Sequence, residues 1–141
     1  MAAFSAALSA ALLEKLVPEA PVQRRLRAIR RDALVLIDRD AVLFARVIQA
    51  TRSGNQQRFR RALKQATGVP CRVAEHAGAV AAACRRAQLR VRPTFQSDLR
   101  CAAALAAAAE TGARALIATN LAWLKDAAYA RTIRRRLGAI R

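Results

Sequence analysis

The chain has 141 residues, enough for a single domain around one apolar core. Hydrophobic residues make up 55% of it but aromatics only 4%, so alanine and the aliphatic residues must build the interior and each helix buries little area of its own. Lys and Arg number 26 against 9 Asp and Glu, a formal charge of +17. That excess points to an anionic partner (nucleic acid, an acidic membrane surface or a polyanionic ligand) or, more plainly, to arginine favoured by coding bias on solvated faces. Cys71, Cys84 and Cys101 form no CxxC and share the chain with one histidine, which excludes a disulfide framework and a zinc site. All three thiols are expected to be buried, in a reducing compartment. No run of about 20 uncharged apolar residues is present, so no transmembrane helix is expected. Met1 to Leu13 lacks the basic start of a secretory signal, and the expected location is the cytoplasm.

Glycine and proline punctuate the chain. Ala2 to Val17 is an Ala/Leu helix stopped near Pro18, and Pro18 and Pro21 bracket a turn. From Val22 to about Thr51, Leu26, Ile29, Ala33, Leu36, Asp40, Phe44 and Ile48 recur at three- and four-residue steps, which predicts one buried helix face. Ser53-Gly54-Asn55 ends it. A helix from Gln56 to Ala66 meets Pro70, which either separates two helices or kinks one, and the pattern resumes from Cys71 to Leu89. Val91 to Thr94 reads as a loop. An Ala-rich helix follows from Asp98 to Thr111, where Gly112 either ends it or marks a close crossing; further helices cover Ala113 to Lys125 and Ala127 to Leu137. The pattern predicts one all-α domain over residues 1–141, an up-and-down bundle of about five or six helices.

Asp40 is the most informative residue. A carboxylate on an apolar stripe costs several kcal/mol unless paired or neutralised. Burial would favour its neutral form, which suits proton transfer, while an ion pair with an arginine is the structural alternative. Asp38 falls off the stripe and reads as a surface acid beside an arginine. Ser97 reads as a helix N-cap with Asp98 in the first turn; Asp98 alternatively orients a polar ligand. Asn120 sits in an apolar run, where its amide needs partners across helices or on a heterocycle. His76 is expected at the helix surface or at a cap, and Trp123 and Tyr129 between helices. The run Arg131, Arg134, Arg135, Arg136 reads as a solvated face. There is no P-loop, GxGxxG or Ser/His/Asp set, and the basic residues lack the interleaved aromatics of single-strand nucleic-acid binders.

Four segments together resemble a known family. Ile37-Asp38-Arg39-Asp40-Ala41-Val42-Leu43-Phe44 is similar to its acid-Ala segment followed by Phe. Ala62 to Pro70 is similar to its Ala-Thr-x-x-Pro helix end, Ser97-Asp98 to its Val-Ser-Asp-Ala-Gly motif, and Ala115 to Leu121 to its segment closing on Asn-Leu. The order agrees from about residue 22 to residue 137. This is the cyclodeaminase domain of formimidoyltransferase-cyclodeaminase, with its relative methenyltetrahydrofolate cyclohydrolase. The resemblance implies an all-α homodimer with a tetrahydrofolate derivative bound near the subunit interface and no metal. The implied chemistry is loss of ammonia from 5-formiminotetrahydrofolate or addition of water to 5,10-methenyltetrahydrofolate. It implies Asp40 and Asp98 as catalytic residues, and Ser97, Asn120 and Arg52 as substrate-binding ones, Arg52 matching a basic loop residue. The arginine excess would suit a polyglutamylated folate. Two departures stand out: Met1 to Val17 resembles only the later part of the helix that follows the family's Pro-Gly-Gly-Gly-Ser turn, and Leu99-Arg100 replaces Ala-Gly beside Asp98. The rival expectations are a diverged non-catalytic helical dimer acting in assembly, and a basic nucleic-acid binder; no membrane association is expected.

Overall fold

The computed structural model describes residues 1–138. It holds five α-helices and one short 3-10 turn and, among the described residues, no strand. The helices are α1 (Ala2–Leu16), α2 (Ala20–Arg52), α3 (Gln56–Ala87), α4 (Gln96–Leu124) and α5 (Ala127–Gly138). At both positions left open by the pattern the helix continues. Pro70 lies inside α3, buried and without ending it, and Gly112 lies inside α4. Gly112 marks the close crossing: a Cβ at that position would stand 3.5 Å from the Cβ of Ala2.

The punctuation that does hold has local causes. Pro21 sits in the first turn of α2, where its missing N–H costs nothing. Gly54 turns the chain at φ +65, and the Asn55 side chain accepts from the Arg58 N–H at 2.9 Å to cap α3. Lys125 closes α4 in the left-handed region, and Asp126 then accepts from the Tyr129 N–H at 3.0 Å, opening α5.

Helix α3 is the spine, touching each of the other four, while α1 packs on α2 and α4. Alanine lets α1 and α4 approach closely: Ala3, Ala6, Ala7 and Ala10 of α1 are buried with Ala102, Ala106, Ala109 and Ala113 of α4. The Ser9 hydroxyl, fully buried, donates to the Ala102 carbonyl at 2.6 Å. The interior falls into two apolar clusters. One gathers Leu36, Leu43, Val47, Leu63, Ile117 and Leu124 with Ile133 of α5. The other gathers Leu13, Leu26, Ile29, Val80, Cys84 and Leu99. With Pro93, α4 is by length and composition long and apolar enough to cross a membrane, although Arg100, Glu110 and Arg114 break its apolar run. Here its apolar face serves the bundle, burying Leu99, Ala102, Ala106 and Ile117. Cys101, expected inside, is exposed on α4 because the small residues beside it face the core instead.

Candidate functional site

The buried line of α2 runs Leu36, Leu43, Val47, Ala50, so Asp40, Phe44 and Ile48 lie outside it. Asp40 is exposed and has neither the buried setting nor the ion pair expected of it. The reason is geometric. Each four-residue step advances a side chain about 40° past a full helical turn, so Leu36, Asp40, Phe44 and Ile48 climb off the seam. Those positions join a second apolar face. Ile37, Ala41, Phe44 and Ile48 continue, at three- and four-residue steps, the side of α2 on which Arg30 pairs with Glu14 of α1. Leu34, Val35, Ile37, Val42, Phe44 and Ile48 are all exposed, Phe44 at 57%. Asp40 stands between Ile37 and Phe44 at the edge of this face.

The antiparallel course of α1 fixes the level of Asp40. From Glu14 back to Ala2 the helix travels roughly 18 Å, which along α2 leads from Arg27 and Arg30 to about Asp40. On α4 the start of α1 is marked by Gly112. Leu116, Asn120 and Trp123 follow Gly112 on the same face; Leu116 and Trp123 are exposed and Asn120 is half-buried. Asp40, Phe44 and Ile48 of α2 and Leu116, Asn120 and Trp123 of α4 thus lie towards the same end of the bundle, the one at which α1 begins. Trp123 is 57% exposed there rather than packed between helices.

Ser97 and Asp98 are elsewhere. Helix α4 starts at Gln96 with Phe95 in the cap position, so Ser97 is exposed inside the first turn and is not the N-cap; Asp98 is half-buried beside it. Asp98 and Asn120 belong to one continuous helix and lie roughly 33 Å apart along it. Within one chain, Asp40 and Asn120 thus share an end of the bundle, while Ser97 and Asp98 occupy the other. Arg52 is exposed in the last turn of α2, at the Asp40 end, and makes no ion pair among the described residues. Within one protomer these groups are not brought together, and none of them lines any of five well-formed cavities among the described residues.

The acidic side chains divide sharply. Glu14, Glu19, Asp32, Glu75, Glu110 and Asp126 each hold an ion pair with Arg or Lys. Asp38, Asp40 and Asp98 hold none among the described residues. Asp38 was expected to pair with a neighbouring arginine; on the outer face of α2 its carboxylate stays unclaimed.

One polar cluster escapes sequence reasoning. His76 is buried, not at the surface, and its Nε2 lies 2.5 Å from Oδ2 of Asp32 on α2. Arg72 Nε donates to the same oxygen at 3.0 Å, and Glu75 receives Arg72 and Arg136. The hydrogen bond from His76 is the main cause that holds the Asp32 carboxyl below its usual range; Arg136 does the same to Glu75. Arg136 therefore leaves the solvated run to fasten α5 to α3. Asp32, Arg72, Glu75 and His76 line an open groove of about 640 Å³ with Arg25 and Ala79. Every carboxylate in it is bound by a cation, so it serves to clamp α2 to α3. Among the described residues no group of three or more His, Cys, Asp or Glu is placed to hold a metal ion.

Residues 17–139 match the sequence model of the formiminotransferase-cyclodeaminase family. The chain belongs to that family. No curated protein sequence matches it. In structure it is similar to a formiminotetrahydrofolate cyclodeaminase from Thermotoga maritima, with a TM-score of 0.83 at 20% identity, the match covering 99% of this chain and 77% of that one. The formiminotransferase-cyclodeaminase match contains Asp40, Arg52, Ser97, Asp98 and Asn120, and the structural likeness extends the cyclodeaminase fold to α1.

Proposed function

We propose that this protein is a folate-interconverting enzyme acting on 5-formimino- or 5,10-methenyl-tetrahydrofolate, and that two copies build its site together. The observation that carries this reading is the set of unclaimed carboxylates. In a chain with an excess of 17 positive charges, Asp38, Asp40 and Asp98 go without a cationic partner among the described residues, and two of them are positions matching the family's polar motifs.

A single chain holds the two halves of the site at opposite ends. A two-fold dimer in which α2 packs on its copy brings the opposite ends of two chains together. Ser97 and Asp98 of one copy then meet Asp40 and Asn120 of the other. The exposed face of α2 suits such a contact. Each large apolar side chain withdrawn from water there contributes roughly 1.5–3 kcal/mol.

The chemistry follows from the residue types. Closing the methenyl ring with loss of ammonia needs a proton delivered to the departing nitrogen; hydration of the methenyl carbon needs one taken from water. A carboxyl group covered by the partner copy can do either, giving the proton in its acid form or taking one as the carboxylate, and this role falls to Asp40. Asp98 and Ser97 orient the pterin or the water, Asn120 hydrogen-bonds the heterocycle, and Arg52 meets the anionic tail, including a polyglutamate one.

The test follows 5,10-methenyltetrahydrofolate by absorbance with wild-type, Asp40→Asn and Asp98→Asn proteins. Each variant alone is expected to be inactive. Refolded as a mixture, random assortment regains about a quarter of wild-type activity, because half of the dimers carry one intact site. Wild-type protein no faster than the buffer, with either folate, removes the enzyme reading. Inactive variants that stay inactive when mixed remove the shared site.

A further inference from the structure

A second surface lies away from these residues, between the end of α4 and α5. Ile117 and Leu121 of α4 and Ile133 and Leu137 of α5 line a groove of about 600 Å³. Its walls between them are alanines, which leave it broad and shallow enough to admit another helix. The α4 wall from Arg114 to Lys125 runs roughly 16 Å, about three turns of a docked helix. Helix α5 does not close over it, because its polar fastenings go to α3: the Tyr129 hydroxyl donates to the Lys64 carbonyl at 3.1 Å, and Arg136 holds Glu75.

The rim is cationic. Arg114, Lys125 and Arg134 stand around the apolar floor. Lys125 and Arg134 pair with no acid among the described residues, whereas Arg114 holds Glu110. The one acid on the rim, Asp126, is taken by Lys64 at 2.8 Å and by Arg60. Six of the nine carboxylates of this chain already hold an ion pair among the described residues, and the other three lie where the proposed dimer forms, so a second copy has no acidic helix to offer these cations.

We propose that this groove docks an acidic amphipathic helix of a partner protein, its apolar stripe on Leu121 and the alanines Ala118, Ala122, Ala127 and Ala130, over the buried Ile117, Ile133 and Leu137, and its carboxylates on Lys125 and Arg134. This is helix-in-groove recognition, with charge complementarity selecting the partner.

The probe is a fluorescein-labelled peptide of about 14 residues with Leu at i, i+3, i+4 and i+7 and Glu elsewhere. Its anisotropy is read against the full chain at about 0.15 M salt, where diffuse attraction is screened. Three comparisons are expected to come out together. The peptide binds wild type, and a scrambled peptide of the same composition binds about tenfold more weakly or worse. The Lys125→Glu/Arg134→Glu double variant, folded by circular dichroism, loses binding by about tenfold or more. The Arg85→Glu/Arg86→Glu variant, which removes the same charge on α3, binds as wild type does. Equal binding of the scrambled peptide, equal loss in both double variants, or no binding to wild type each overturns the proposal. So does displacement of the peptide by dodecanoate with the double variant unaffected.

Discussion

Oδ2 of Asp32, on α2, stands 2.5 Å from Nε2 of His76, on α3, and the imidazole behind it is buried. An acceptor-only carboxylate requires that nitrogen to carry the proton. Replacing Asp32 with leucine leaves the buried ring and the Arg72 guanidinium without their shared acceptor, and is expected to cost roughly 1–3 kcal/mol in urea unfolding. The pH dependence has a definite sign. His76 holds the folded Asp32 carboxyl below its ordinary 3.8, so its contribution is complete above that value and is lost as the pH falls through the lowered one. Below about pH 4, wild type should therefore lose stability more steeply than Asp32→Asn.

Asp126 does for α5 what Asp32 does for α2. Lys64 first, then the Tyr129 N–H, lower its carboxyl to about 2. The anchor is expected to be whole at neutral pH and to weaken as the pH drops from 3.8 towards about 2. Asp126→Asn should speed hydrogen exchange in α5 at neutral pH while leaving α3 and α4 protected. Unchanged exchange in α5 would show that Ile133 and Leu137 hold it without the carboxylate.

Gly112 is expected to tolerate alanine. The added Cβ meets Ala2 at 3.5 Å, ordinary contact distance, and the helix interior gains from the lost backbone freedom of glycine. Gly112→Ala should raise stability by about 0.4–1 kcal/mol in thermal unfolding. Gly112→Leu should lower it by roughly 1–3 kcal/mol, since the larger side chain pushes α1 off α4.

Asp40 separates stability from activity. Because it is exposed and holds no ion pair among the described residues, Asp40→Asn should change folding stability by no more than about 0.5 kcal/mol while abolishing folate turnover. Phe44→Glu, on the same outer face, should leave the helix content intact and convert a dimer to a monomer in light scattering. A chain that is monomeric before the substitution would remove the proposed packing of α2.

These residues also show how far the sequence could be read. The helical class, the turns at Pro18, Gly54 and Lys125, and the family motifs are all written in local pattern, and the fold carries them. Asp40 was placed on the wrong face because α2 is apolar on two sides. Leu36 to Phe44 and Leu36 to Val47 both satisfy helical spacing, and nothing local chooses between them. Local pattern leaves Pro70 and Gly112 open between a break and a continuous helix because their intrinsic cost is local, whereas the packing that outweighs it comes from α1, α2 and α4. The Asp32–His76 pair joins residues 44 positions apart, and no spacing rule reaches that far. The distance between Asp98 and Asn120 was hidden for the same reason: once Gly112 proved not to end a helix, two neighbouring motifs became the two ends of a rod.

The two apolar clusters have a consequence for how the molecule comes apart. Helices α1 to α4 each contribute to both, so neither end can melt while the other stays whole, and heat should unlace all four in a single cooperative step. Helix α5 enters only the first cluster. It is the one strand of the weave that can be drawn out by itself, leaving the rest of the fabric tied.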